Sequence, residues 1–450
     1  MIQQYVKNRV GLISLGCPKN QVDSEVMIGV LQKDGYEITS DLSGAEIIII
    51  NTCSFIEAAK RESLETIFEV AELKKSGSLK KLIVAGCLPQ RYCSELQREI
   101  PEVDHLLSVN DVERIAEVCR QDKKTLPPDR FSSPRYLYSE RSPRFLSSPR
   151  FYAYVKIAEG CNHSCSFCII PRIRGKYRSR SVASIKEEVM NLSGSGVKEI
   201  NLIAQDTTSF GIDLGMENGL SLLIEKLSSI EGIRWIRILY GHPAGIGDSL
   251  LKSISSSEKI CRYLDIPFQH ASKRILRSMK RGGSSKSHLD LINKIRRYLP
   301  EITLRTAVIV GYPGETEAEF QELLAFCSEA RFDHLGVFRY SHEEGTEVYD
   351  LDDSISEELK EERYRTLMAM QQGISLEKNR SRVGKVFDLI CEGVSSESDD
   401  LLSGRMESQA PDIDSRVLIN EGSAEAGEFV RVQITESHPY DLVGKIIGKL

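Results

Sequence analysis

Residues 152–170 read YAYVKIAEGCNHSCSFCII, and the fold turns on how that stretch is taken. Its first half is rich in aromatic and β-branched residues, the composition of a buried strand. Its second half places Cys161, Cys165 and Cys168 within eight residues, directly beyond that strand. Barrels of alternating strands and helices carry their reactive groups at the strands' C-terminal ends. Soft thiolates there suit zinc or an iron–sulfur cluster. A closed zinc site needs a fourth ligand. His163 lies inside the loop, but no second Cys-x2-Cys knuckle follows. Three thiolates on a four-iron cluster leave one iron open to a small molecule. Zinc or plain packing is the bland alternative, and the tight clustering weighs against it.

The pattern extends in both directions. Downstream, strand-like runs recur at 199–203, 234–240, 262–266, 303–310 and 334–340, separated by helix-prone stretches. Six β/α units predict a barrel or partial barrel over 147–376. Upstream, apolar runs at 10–15, 45–50 and 81–85 alternate with charged helical segments, which predicts a parallel sheet covered on both faces over 7–122. Cys17, Cys53 and Cys87 each stand one to three residues beyond one of these runs. Strand C-terminal ends of an open parallel sheet share one edge, the usual ligand edge. Taken singly, each cysteine is ordinary packing; taken together, they predict a second cluster. Cys93, Cys119, Cys261, Cys327 and Cys391 have no spacing partner and are read as packing thiols.

Between the two units, 123–146 is rich in Pro, Ser and Arg. Over 121–150, seven basic residues face three acidic ones. This reads as a linker draped on the surface, with a partial repeat, RFSSPRYLY and RFLSSPRFY, too short to form a solenoid. After about residue 379, short strands broken by Gly, Ser and Asp predict a small β-barrel to residue 450. The whole is an α/β chain of three domains.

Bulk properties bound the rest. At 450 residues the chain is too long for one core. It is 41% hydrophobic and 28% charged, ordinary for a globular protein. No apolar run is long enough for a membrane, and MIQQYVKNRVG holds no apolar leader, so a cytoplasmic protein with reduced thiols is expected. A net charge of −6 gives no whole-surface attraction to nucleic acid. A basic run remains in Arg172, Arg174, Lys176, Arg178 and Arg180, read either as a solvated loop or as a grip on substrate or cofactor.

The triad Cys161, Cys165 and Cys168, with Phe167 before the third cysteine, resembles the signature of the radical S-adenosylmethionine (SAM) superfamily. The two cysteine sets together resemble the methylthiotransferase branch. SLGCPKNQVDSE, NTCSFI and AGCLPQRY match in the first domain, AYVKIAEGCNHSCSFCIIPRIRGKYRSR in the second, and the last domain resembles a TRAM domain. The resemblance implies two [4Fe–4S] clusters. Cys161, Cys165 and Cys168 hold the cluster that opens SAM to a 5′-deoxyadenosyl radical. Cys17, Cys53 and Cys87 hold an auxiliary cluster that delivers the methylthio group. Two branches compete: one modifies adenosine in tRNA, and the other the β-carbon of an aspartyl residue of small-ribosomal-subunit protein twelve, free or in the ribosome. CPKN, IAQDTTSFG, MKRGGSS and YSHEEGT look like the second. The acidic last domain agrees, with thirteen Asp/Glu against eight Lys/Arg from residue 380 on, because an RNA grip needs a basic surface. A cluster-bearing RNA-binding or assembly factor without catalysis is the reading from another class.

The resemblance also implies cofactor-binding residues. Gln205 and Asp206 end the second barrel strand, where relatives bind the methionine end of SAM; many carry Gly-Gly-Glu where this chain has Ala204-Gln205-Asp206. Gly311 and Gly314, in VGYPGE, permit close backbone approach to adenine, with a plain turn as the alternative. His270 is read as a packing histidine. No catalytic acid or base is singled out. A monomer is expected, served by an electron donor and a sulfur source.

Overall fold

A computed structural model describes residues 8–75, 77, 79–121 and 131–450. The residues read as lacking a leader (1–7), residue 122 and the start of the expected linker (123–130) lie outside the described residues.

The first domain is a five-stranded sheet of β1 (Arg9–Ser14), β2 (Glu37–Thr39), β3 (Ile47–Thr52), β4 (Lys81–Gly86) and β5 (His105–Leu107), in the order β2-β1-β3-β4-β5. Every pairing is parallel. The run IIII in β3 is explained by burial on both faces. Ile47 and Ile49 face α1 (Pro18–Lys33), while Ile48 and Ile50 face α2 (Glu57–Lys75) and α3 (Cys87–Glu99). The short edge strands β2 and β5 were not legible, because three residues hold no period. A small fourth helix, α4 (Ile115–Arg120), closes this domain.

The second domain contains β6 (Tyr152–Lys156), the two-residue strands β7 (Ala158–Glu159) and β8 (Arg178–Ser179), and then β9 (Glu199–Ile203), β10 (Trp235–Ile238), β11 (Ile260–Asp265), β12 (Thr303–Val310) and β13 (His334–Arg339). The main sheet runs β13-β12-β11-β10-β9-β6, parallel and in sequence order, with β6 and β13 unpaired to each other. This is the expected six-unit partial barrel. All six strands deliver their C-terminal ends to one rim.

The third domain is a closed barrel of β14 (Val386–Val394), β15 (Leu402–Met406), β16 (Val417–Glu421), β17 (Phe429–Ser437) and β18 (Leu442–Lys449). Its loop 410–414 docks against the partial barrel. Asp412 accepts from Tyr154 at 2.9 Å and Asp414 from Tyr263 at 2.7 Å, while Arg405 pairs with Glu199 at 2.7 Å. One buried cluster joins all three domains, from Val10 and Val22 through Tyr154 and Trp235 to Ala410 and Phe429.

The described part of the linker corrects the surface reading. Residues 131–150 form no helix or strand, yet Tyr138 is only 2% exposed and bonds Glu188 at 3.0 Å. Arg144 reaches Glu25 of α1 and Glu188 of the second domain, both at 2.6 Å. Arginine serves there as a buried two-way clamp, which composition alone cannot distinguish from a solvated basic linker.

One histidine on the outer layer predicts acid sensitivity. His288, on the helix Ser285–Tyr298, is buried between Phe268 and Phe326, and its Nδ1 has no partner among the described residues. Burial first, and then the Arg281 charge, pull it down to about 4. The unfolded chain takes that proton near 6.5. The stability is therefore present above pH 6.5 and lost as pH falls toward 4, by roughly 2–3 kcal/mol for this group. Denaturant midpoints measured across that window should fall less steeply for His288→Leu than for the native chain. Equal slopes would count against the assignment.

Candidate active site between two cysteine triads

The first triad is built by sheet register. Thr52 pairs with Gly86, so Cys53 and Cys87 leave adjacent strands side by side, and β1 lies next to β3. Cys17 caps the start of α1, with Pro18 at its first turn, and Cys87 opens α3. Gly16 is required here: at φ +89°, a Cβ would come within 2.7 Å of the Cys53 Cβ. Burial, followed by the neighbouring Cys87 and Cys17, pushes the Cys53 thiol up to about 12. Burial also raises Cys87, against the pull of Arg174.

The second triad sits in the loop after β7. Cys161 N–H donates to Gly175 O, and Cys168 N–H to Cys165 O, both at 3.1 Å. Phe167 anchors the loop in a pocket of Ile275, Met279, Tyr312, Tyr340 and Val348. Ser166 ties it to Ser278 O at 2.7 Å. Burial is the main cause that pushes Cys161 up to about 11 and Cys168 up to about 12. Among the described residues, no three His, Cys, Asp or Glu side chains converge on a single-ion position. One zinc ion would draw its sulfurs to about 2.3 Å from a common centre. A multi-iron cluster instead takes one thiolate per iron, so its cysteines stand apart. Three thiols in each donor set have the soft-ligand chemistry that iron–sulfur ligation takes.

A buried charge quartet joins the triads. Lys156 Nζ lies 2.5 Å from Asp23 and 2.6 Å from Glu159. Arg174 ends α5 (Ile170–Arg174), the helix that follows Cys168. Its guanidinium donates to Asp23 at 2.7 Å and to Asn20, and lies 3.4 Å from the Cys87 Sγ. A residue of the second triad's own segment thus touches a cysteine of the first. On the other side, Arg281 lies 3.7 Å from the Cys165 Sγ.

The sequence-predicted cofactor residues fall at the same rim. Gln205 donates to Glu159 at 2.7 Å, and its buried Oε1 has no partner among the described residues. Asp206 accepts from His163 at 2.7 Å, from Ser209 at 2.6 Å and from Thr208. Burial pushes this carboxyl up, but those bonds outweigh it and hold it at about 2. His163 bonds Asp206 through Nε2 and stacks on His242. Gly311 and Gly314 form the turn after β12. The Gly311 N–H is taken by Glu315, and its Cα faces Lys360. The Gly314 carbonyl accepts from Arg274 at 2.6 Å. His270 is fully buried, donates to Glu315 and accepts from Ser272 N–H, a satisfied packing histidine.

The four motifs beyond the cysteines all border this site. CPKN supplies Lys19 and Asn20, IAQDTTSFG holds Asp206, and MKRGGSS supplies Arg281. YSHEEGT docks the domains through Glu343, which pairs with Arg91 at 2.9 Å and Lys60 at 3.1 Å. The basic run is split. Arg174 and Arg180 are buried in ion pairs. Arg172 and Lys176 line a cavity of about 1120 Å³ between α3, the linker and α5. Of the charged residues here, the sequence names Arg174 only within the basic run, and Lys19, Asp23, Lys156, Glu159 and Arg281 not by themselves. The available signal was a lysine inside the buried strand YAYVKI, a charge that must find a partner. The five unspaced cysteines are all buried.

Comparison with known proteins follows the same three-part division. A model described as uncharacterized protein family UPF0004 matches residues 9–108, the radical SAM superfamily matches 155–327, and the TRAM domain matches 383–447. The ribosomal protein uS12 methylthiotransferase RimO of Citrifermentans bemidjiense is 47% identical over 447 residues, covering 99% of this chain and 100% of the relative. The same-named protein of Syntrophotalea carbinolica is 49% identical, covering 98% of each. Among solved structures, the radical SAM methyltransferase TsrM from Kitasatospora setae aligns over 74% of this chain and 75% of that one, with TM-score 0.53 and 14% identity, a likeness of fold.

Proposed function

Because the chain belongs to the uS12 methylthiotransferase family of radical SAM proteins, we propose that it places a methylthio group on the β-carbon of an aspartyl residue of ribosomal protein uS12. The observation that carries this reading is the pair of cysteine triads at two strand-end rims, linked by Arg174. As a radical SAM methylthiotransferase, the chain uses SAM and a [4Fe–4S] cluster. We assign that cluster to Cys161, Cys165 and Cys168, and a second one to Cys17, Cys53 and Cys87. When bound, the first supplies with SAM a carbon-centred radical that takes a hydrogen atom, and the second holds the sulfur to be transferred.

The chain's own residues prepare that chemistry. A β C–H lies far above the pKa range in which side-chain bases work, so the reaction calls for hydrogen-atom removal rather than a general base. The thiols of Cys53, Cys161 and Cys168 are pushed up by burial, so loading iron must displace their protons. Asp206 holds the Cys161 loop through His163. The free Oε1 of Gln205 suits the amino group of SAM. Gly311 and Gly314 shape the turn at the end of β12. One chain supplies both triads, and we take the working unit to be a monomer in the cytoplasm, served by an outside electron donor and sulfur source. No helix among the described residues is long and apolar enough to cross a membrane.

After anaerobic reconstitution the chain should carry about eight irons. With SAM and dithionite it should add one methylthio group to a single aspartate of uS12, read by mass spectrometry. Iron near four would remove the auxiliary cluster. Modification of a tRNA adenosine would move the chain to the other branch, and absence of 5′-deoxyadenosine would make it a non-catalytic factor.

A further inference from the structure

Lys19 stands two residues after Cys17, in the first turn of α1, and is buried between two domains. Its Nζ lies 3.2 Å from the centroid of the Tyr240 ring. Tyr240 follows β10, at the rim where the second triad and Gln205 sit. No carboxylate lies within salt-bridge distance of this ammonium among the described residues, although Cys17, Asp265 and Glu159 are near enough to act on it. One oxygen of Asp265 accepts from the Tyr240 N–H at 3.0 Å. The contrast with the surroundings is sharp. Lys156 has two carboxylates, Arg174 has two, and Arg144 has two. A buried cation without a carboxylate in direct contact is costly, and a chain that pairs its neighbours so fully leaves this one open to a carboxylate from outside.

We propose that Lys19 binds the side-chain carboxylate of the substrate aspartate and sets the preference for aspartate over uncharged residues. This rests on the functional reading above. The acceptor carbon must lie between the rim that holds SAM and the cysteines that hold the sulfur. The carboxylate is one bond from that carbon. Lys19 is the cation at that junction that no carboxylate contacts among the described residues, two residues from Cys17 and seated on a residue of the rim. The pairing orients the β-carbon, and Tyr240 holds the ammonium in place from its other side.

The test compares binding of two substrates, uS12 and uS12 with asparagine at the target aspartate, to the reconstituted native chain, Lys19→Met and Lys19→Arg. A charge-assisted contact of this kind makes the native chain prefer the aspartate form on the order of 10- to 100-fold in Kd. Lys19→Met, at native iron content, should bind both forms within about threefold. Lys19→Arg should keep a clear preference. Equal binding of both forms by the native chain overturns the assignment without recourse to any variant. So does a native-like preference in Lys19→Met. No binding of uS12 by the native chain overturns the functional reading, and this assignment with it.

Discussion

Alanine at Cys161, Cys165 and Cys168 together is expected to abolish 5′-deoxyadenosine formation and remove about half of the bound iron. Alanine at Cys17, Cys53 and Cys87 is expected to remove the other half and stop methylthio transfer, with SAM cleavage still detectable. The two triads fail differently because they belong to different sheets. The Cys161 triad hangs on a loop pinned by Phe167 and Ser166 within the second domain. The Cys17 triad is set by strand register in the first domain. Neither loop depends on the other's cysteines for its backbone bonds. Each replacement removes one small side chain, so folding should survive at a cost of roughly 1 kcal/mol per buried site. Iron analysis and product assays on the two triple variants decide the matter. Loss of all iron from either variant would show one shared site instead of two.

The legible parts of this chain are local ones. Cys161, Cys165 and Cys168 declare themselves by spacing, and β9 and β12 by apolar runs, because their information lies within ten residues. The cysteines of the first sheet needed one further step, that parallel strands share an edge. What could not be read depends on pairings across the chain. Asp23 meets Lys156 at a separation of 133 residues and Arg174 at 151. The arginines of the linker and of the run 172–180 share one composition yet divide into buried clamps and a cavity lining. The acidic tally of the last domain was only partly a surface property, since Asp412 and Asp414 are committed to tyrosines of the partial barrel. Net charge per domain counts such groups as if they faced a partner.

Arg174→Met is expected to cost about 3–5 kcal/mol of stability, the usual price of leaving a buried carboxylate without its cation. The quartet of Lys156, Arg174, Asp23 and Glu159 carries two charges of each sign in a site closed to water. Removing Arg174 leaves one negative charge in excess, and the Asn20 and Cys87 contacts go with it. Arg174→Lys keeps the charge but loses the planar fork that reaches Asp23 and Asn20 together, so a smaller loss is expected. The decisive variant is the double one, Asp23→Asn with Arg174→Met. It removes one charge of each sign and leaves Lys156 against Glu159. If the quartet is governed by charge balance, the double variant unfolds at a higher denaturant concentration than Arg174→Met alone, and the two effects fall short of additivity by more than about 1 kcal/mol. Additive effects would mean that Arg174 contributes through packing alone. Because Asp23 lies on α1 and Arg174 on α5, the same measurement reports how firmly the helix that follows Cys17 is held against the helix that follows Cys168.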